Sequence, residues 1–497
     1  MIEVPLVLAI ILGIIIGFFT GLIPGIHVNT ICAILLSLFV SSNSLNPELI
    51  VAFIASLAIT HTFFDVLPGL FLGIPGDSTF ALLPGHEMVK KGYGSLAIKL
   101  SAIGSISGLG IGLIIFYLLS KDNAMILDSS IKPYLFYVLF GVSIVLIFSE
   151  KNRINALFVF IASGLLGVLV SATPIIYPRE APINSLLPAL TGLFALSGLI
   201  WSLLTLESKG DKNDHKDKDI NYSELPGPSI RGGLAGFIVG ILPGLGGANA
   251  ATLLLLIENW LGKKTSKNRE NRSYLITTSS LNTTEAMISI ITLYLISKPR
   301  SGASIAIGSV LNSNIQENHI QIIITAMIIS GIVSCALIWK IGPIIAKKIH
   351  LYDYGALNWS LIAFLSILIG LLLGLGGLTV LCCAFSVGIL PFVLDVRKGQ
   401  LMGFFLFPVL IYYSGEGRAI YDMLLLTQRH TPIFSFPTSN YIFISIFISI
   451  IFGFLCYKYF LKNQKNVKEH QYIAKKLIYF IPILGIAMLL INLLLNN

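Results

Sequence analysis

The chain has 497 residues, 55% of them hydrophobic and only 11% charged, with a net charge of +9 and a mean hydropathy of +0.86. A soluble domain carries about 25% charged residues, so this composition argues against a soluble enzyme, and the short basic loops argue against a nucleic-acid-binding surface. Apolar runs of the roughly 17–25 residues needed to cross a hydrocarbon core recur along the chain, which predicts an all-α, multi-pass membrane protein.

The first ten residues, "MIEVPLVLAI", lack the basic start of a signal peptide, so the first helix is expected to stay in place. Apolar segments fall near 4–23, 28–42, 49–72, 95–120, 131–148, 153–171 and 185–206. A polar stretch, 207–229, follows and reads as a solvated cytoplasmic linker. Apolar segments then resume near 230–246, 248–257, 273–297, 318–341, 357–376, 378–396 and 399–415, with two more near 441–457 and 477–495. This gives a first repeat over 1–206 and a second over 230–415, with 416–497 an extracellular loop plus two C-terminal helices, and roughly 12–14 spanning segments. Cys32, Cys335, Cys382, Cys383 and Cys456 all lie in apolar segments without metal spacing, and read as small packing residues.

The two halves resemble each other. "GFFTGLIPG" at 17–25 returns as "GFIVGILPG" at 236–244, each followed by a hydrophilic patch, "IHVNT" and "LGGANAAT". A later segment in each half also breaks, at "LGIPGDST" (72–79) and "ISKPRSGAS" (296–304). Lys90, Lys91, Lys151, Arg153, the linker, Lys263 to Arg272, Lys347, Lys348, Arg397, Lys398 and Lys458 to Lys476 mark one side as cytoplasmic, whereas the first inter-helix loop, "SSNSLNPE", has no Lys or Arg. The first half therefore starts outside and the second inside, an inverted repeat of the kind common in secondary transporters.

The arms that follow each Pro-Gly are too short to span. Thr30 to Phe39 is about ten residues, roughly 15 Å at helical rise, and Ala250 to Ile257 is shorter still. Two re-entrant hairpins follow, with broken backbone that is tolerated at membrane depth only where it is buried or lines a polar cavity. At such a tip Pro24 and Pro243 end the first arm, Gly25, Gly244, Gly246 and Gly247 let backbone approach a guest, and the second arm starts with unpaired N–H groups that attract anions. His27, Asn29, Thr30, Asn249 and Thr252 add side-chain hydrogen-bonding groups. The bland alternative is a tight turn whose polar residues only cap helices; the paired occurrence favours a shared substrate site.

In "GIPGDSTF", Asp77, Ser78 and Thr79 cap the helix that follows, and with carbonyls freed at the break they also suit a sodium ion. At the matching place in the second half, Lys298 and Arg300 either meet a carboxylate or phosphate of the substrate or anchor the chain at the membrane surface. His61 and Asp65 share a helix face, and Glu285 falls where His61 falls when Pro75 and Pro299 are aligned. As ionisable groups inside the membrane these three are candidates for a proton relay, against the alternative of a structural hydrogen bond between helices. In "PGHEMVKKGYG" (84–94), Lys90 and Lys91 set topology, and His86 and Glu87 have no partner at metal spacing.

Taken together, "GLIPGIHVNT", "LGIPGDSTFALLPGHEMVKKGYG" and "GILPGLGGANAAT" resemble the large permease subunit (TctA) of the tripartite tricarboxylate transporters over about residues 10–415. Leu72 to Gly76, with Gly85, Met88 and Gly92, carry the family's LGIPG break and G-x-x-M-x-x-x-G loop. The resemblance implies ion-driven uptake of small di- or tricarboxylate-like anions by symport, with a sodium ion or a proton as coupling ion and no other cofactor or metal. It also implies an extracytoplasmic binding protein and a small membrane subunit as partners in bacterial systems. "PGIHVNT" and "SKPRSG" depart from the family's usual G-x-P-G and resemble an archaeal branch.

The leading reading is a secondary transporter for an anionic solute, with no enzymatic activity. The runner-up keeps the fold and carries a lipid phosphate such as polyprenyl phosphate, since helix N-termini and Arg300 suit phosphate equally. An intramembrane aspartyl protease, suggested faintly by "GIPGD", lacks a second Asp in an appropriate helical setting.

Overall fold

The computed structural model describes residues 4–22, 28, 31–32, 35, 46–72, 85, 87–89, 91–172, 186–205, 220–243, 247, 250–251, 253–254, 267–312, 315–348 and 354–415. Among these residues all regular structure is helical. In chain order the helices are α1 (Val4–Leu22), α2 (Pro47–Phe64), α3 (Val66–Leu72), α4 (Gly94–Leu118), α5 (Lys121–Ile131), α6 (Leu135–Phe148) and α7 (Arg153–Ala172). They continue as α8 (Leu186–Leu190), α9 (Ser197–Thr205), α10 (Pro226–Ile241), α11 (Lys267–Ile296), α12 (Gly302–Val310), α13 (Glu317–Lys348), α14 (Tyr354–Gly388), α15 (Leu390–Val393) and α16 (Gly403–Ser414). Among the described residues, eight helical stretches are long and apolar enough to cross a membrane, and Asn358–Leu371 is a shorter apolar one. The chain is a multi-pass membrane protein of all-α class.

The helices form two compact units. One contains α1–α5 and α10–α13, the other α6–α9 and α14–α16. Each unit thus draws on chain from before and after residues 207–229.

In the first unit, α1 turns its large side chains outward and its small ones inward. Val4, Leu8, Ile11, Leu12, Ile15 and Phe19 are exposed, while Gly13, Gly17 and Gly21 are buried against α2. A Cβ at Gly13 would lie 2.7 Å from Ser56 Cβ, at Gly17 2.7 Å from Thr60 Cβ, and at Gly21 2.6 Å from Phe64 Cβ. Lipid tails give no hydrophobic drive for helices to associate, so close backbone approach over small residues supplies the contact. The pair α10 and α11 is built the same way. A Cβ at Gly232 would lie 2.8 Å from Ser280 Cβ, at Gly236 2.8 Å from Thr284 Cβ, and at Gly240 2.8 Å from Ile288 Cβ. Corresponding steps of the two ladders meet corresponding residues: Gly21 packs on the carbonyl of His61, and Gly240 on that of Glu285.

α11 departs from the sequence expectation of an ordinary apolar span. It runs for 30 residues and is too polar to count among the eight. Its Ser and Thr side chains are buried and bonded to three neighbouring helices. Thr283 Oγ1 lies 3.1 Å from Thr62 Oγ1 of α2, and Ser279 Oγ lies 2.9 Å from Ser101 Oγ of α4. Thr284 Oγ1 donates to the Gly108 carbonyl of α4 at 2.8 Å, and Ser280 Oγ to the Ser229 carbonyl of α10 at 2.8 Å. Such bonds are each worth on the order of 0.6–2 kcal/mol within a membrane. Together they make α11 the axis on which α2, α4 and α10 are registered.

In the second unit the chain from α8 to α9 passes through a π-helical turn, Thr191–Leu196. A π-turn disturbs the regular carbonyl ladder, and the Lys398 ammonium donates to the Phe194 carbonyl at 2.8 Å. Beside it Arg397 is ion-paired with Glu150. α14 is broken by Gly374, whose φ of +60° and ψ of −155° are open only to glycine. The break falls at the end of the apolar segment that the sequence places at 357–376, just before the one at 378–396.

Candidate functional site

The polar residues that face one another in the first unit come from the ends of α2 and α10 and the middle of α11. α10 stops at Ile241, where Leu242 turns extended (φ −79°, ψ 130°) directly before Pro243. The backbone resumes helical geometry at Gly247, Ala250, Ala251, Leu253 and Leu254. Val28, Ile31, Cys32 and Leu35 are helical at the matching places of the first half. Val28, Cys32, Ala250 and Ala251 are buried.

Gly247 is the meeting point. Its backbone lies beside the Glu285 carboxylate: a Cβ at Gly247 would lie 3.0 Å from Glu285 Oε2 and 3.5 Å from Asn282 Oδ1, so the missing side chain lets the Glu285 carboxylate come close. On its other side Asn282 donates from Nδ2 to Asp65 Oδ2 at 2.9 Å. Asp65 caps α2 with helical angles (φ −64°, ψ −20°), its N–H donating to the His61 carbonyl at 2.9 Å. Asp65, Asn282, Gly247 and Glu285 thus bring together the end of α2, the middle of α11 and the chain that follows Pro243. Among the described residues no Lys, Arg or His forms an ion pair with Glu285.

His61 points elsewhere. It is buried, and its Nδ1 lies 3.1 Å from Thr20 Oγ1. The Thr20 hydroxyl is also 3.1 Å from the Gly17 carbonyl, to which it donates. His61 and Asp65 therefore share a helix but engage α1 and α11 respectively.

Arg300 is held at a separate ion cluster. Its Nη2 lies 3.4 Å from Asp128 Oδ1 of α5, and Lys298 Nζ is paired with the other oxygen of the same carboxylate. The Arg300 backbone N–H donates to Ser304 Oγ at 2.8 Å, within the capping box that starts α12 at Ser301. Beside this cluster Lys121 lies 3.8 Å above the Tyr294 ring.

Of the residues expected at the site, Glu285, Asp65 and Gly247 are brought together, His61 is on the adjoining turn, and Pro243 directly follows the end of α10. Pro24, Gly25, His27, Asn29, Thr30, Gly244, Gly246, Asn249 and Thr252 lie outside the described residues, as do Asp77, Ser78 and Thr79. Asn282 and Thr20 were not legible as site residues. The signal for Asn282 is its place three residues before Glu285 in "TTSSLNTTE", a polar run inside a membrane segment.

The comparisons with known proteins agree with this architecture. Residues 7–403 match the family described as "Tripartite tricarboxylate transporter TctA family". An uncharacterized protein of Methanocaldococcus jannaschii is 28% identical over 402 residues, covering 79% of this chain and 95% of the relative. No solved structure matches the chain.

Proposed function

This chain belongs to the tripartite tricarboxylate transporter TctA family, and from that premise we propose that it is a secondary active transporter, not an enzyme, that moves a small di- or tricarboxylate-like anion across the cytoplasmic membrane by symport. The observation that carries the reading is the close approach of the Glu285 carboxylate to the Gly247 backbone. A hairpin-tip amide is the natural donor for a guest carboxylate, and in this reading the protein's own carboxylate takes the guest's place. A polyanion approaching the tip meets Asp65 and Glu285, and like charges in a poorly solvated site repel strongly.

Coupling follows from that competition. A proton on Glu285 removes its charge and weakens its claim on the Gly247 amide, which is then free for a substrate carboxylate. Substrate and proton thus each favour the other's binding, as linkage requires of a symporter. His61 and Asp65 supply the route by which the proton reaches Glu285. A sodium ion at Asp77, Ser78 and Thr79 is the alternative coupling ion. The first tip, with His27, Asn29 and Thr30, and the second, with Asn249 and Thr252, complete the anion site as members of an inverted repeat. The matching glycine ladders of α1 and α10 support the repeat. An extracytoplasmic binding protein and a small membrane subunit are the expected partners, from the family's tripartite name.

The test is uptake of radiolabelled di- and tricarboxylates by proteoliposomes, with proton and sodium gradients imposed separately. Accumulation under one gradient supports the proposal. Indifference to all carboxylates, with movement of a fluorescent lipid phosphate instead, would replace it with a lipid-phosphate carrier.

A further inference from the structure

The surface between α4 and α13 carries a groove of about 420 Å³, lined by Ile106 of α4 and by Ile332, Cys335, Ala336, Trp339 and Lys340 of α13. The α13 residues recur at intervals of three and four, so they form one stripe along the helix. Ile332 is 59% and Trp339 38% exposed. The stripe is apolar along most of its length and basic at one end. There Lys340 is exposed, and the Lys99 ammonium lies 5.9 Å from the centre of the Trp339 ring. No acidic side chain is among the described residues that line it.

The charge pattern of the loops puts that basic end at the cytoplasmic leaflet. α4 starts just after Lys90 and Lys91, and α13 ends at Lys347 and Lys348. Lys99 lies about 8 Å of helix inside the start of α4, and Lys340 about 12 Å inside the end of α13. That is the depth at which a Trp ring and long basic side chains sit among phosphates, with Ile106 and Ile332 deeper among the chains. The cytoplasmic leaflet is the anionic one, and basic pockets between helices on this side suit phosphorylated headgroups.

We propose that this groove is a binding site for an anionic phospholipid of the cytoplasmic leaflet. Its phosphate sits between Lys99 and Lys340 against the Trp339 edge, and one of its chains lies along Ile332, Cys335, Ala336 and Ile106. The site joins α4 and α13, both of which pack on α2, so an occupying lipid braces the scaffold around His61 and Asp65.

Brominated lipids test this directly, because bromine quenches an indole only at contact. The full-length protein is reconstituted in vesicles containing either dibromo-phosphatidylglycerol or dibromo-phosphatidylcholine. The Trp339 signal is isolated by difference from Trp339→Phe, since the chain has four tryptophans. Quenching should show a preference of about fivefold per lysine for the glycerol headgroup. Lys340→Gln should lower that preference, and Lys340→Arg should restore it. Equal quenching by the two lipids would mean ordinary bulk lipid at the groove and would overturn the proposal. Failure of both to quench would mean that a protein helix covers the groove, and would overturn it as well.

Discussion

The backbone of Gly247 lies against the carboxylate of Glu285, a Cβ there falling 3.0 Å from Oε2, so the chain that follows Pro243 meets the polar helix α11 at a carboxyl group. Asn282, three residues earlier on α11, ties the same place to Asp65 at 2.9 Å. Two carboxyl groups, the Asn282 amide and the Gly247 backbone therefore lie together, and removing any side chain among them should be felt by the others.

Asn282 is the member whose loss is easiest to read. Asn282→Ala removes the amide from which Asp65 accepts and should cost about 1.5–3 kcal/mol, the range for a hydrogen bond to a charged group. Thermal unfolding in detergent should show the loss, and carboxylate uptake should fall with it. Unchanged stability and uptake would mean that the Asp65–Asn282 bond does not organise the site.

The glycine ladders predict a steric effect with a built-in control. At Gly17 and Gly236 a Cβ would meet Thr60 Cβ at 2.7 Å and Thr284 Cβ at 2.8 Å. Gly17→Val and Gly236→Val should each destabilise the first unit by about 1–3 kcal/mol, the usual cost of overpacking. A Cβ at Gly110 meets nothing within 4 Å, so Gly110→Ala should be neutral or slightly stabilising. Equal effects at all three positions would contradict the packing described.

The Arg300 cluster distinguishes an ion pair from a substrate contact. Asp128 is shared by Arg300 and Lys298 and is only 15% exposed. Asp128→Ala and Arg300→Ala should each destabilise the protein by about 1–3 kcal/mol, and the double variant should be less unstable than the sum, because the two residues are in contact. Additive losses, with abolished uptake confined to the Arg300 variant, would instead mark Arg300 as a residue that meets the substrate.

The first tip is tested through Asn29→Ala and the second through Asn249→Ala. Each should reduce uptake to near background while the protein still inserts in the membrane. Wild-type uptake by both would remove the tips from the substrate site.

Much of this was legible because membrane segments carry strong local signals. The end of α10 before Pro243 follows from a residue that cannot continue the helix. The correspondence of His61 with Glu285 follows from aligning Pro75 with Pro299, and the glycine ladders place these two at the same step. What was not legible depends on distant partners. The segment 273–297 reads as one more apolar span, yet its Ser and Thr side chains are bonded to α2, α4 and α10, neighbours that the sequence alone does not name. Asn282 meets Asp65 across 217 positions of sequence, and Arg300 meets Asp128 across 172, separations that no local pattern encodes.

The central claim is that Glu285 and the substrate compete for the tip amide, with a proton deciding between them. Glu285→Gln imitates the protonated side chain permanently. In proteoliposomes this variant should exchange internal for external carboxylate at a rate comparable to wild type, while a proton gradient should no longer drive accumulation above equilibrium. Accumulation by Glu285→Gln at the wild-type level would contradict the claim.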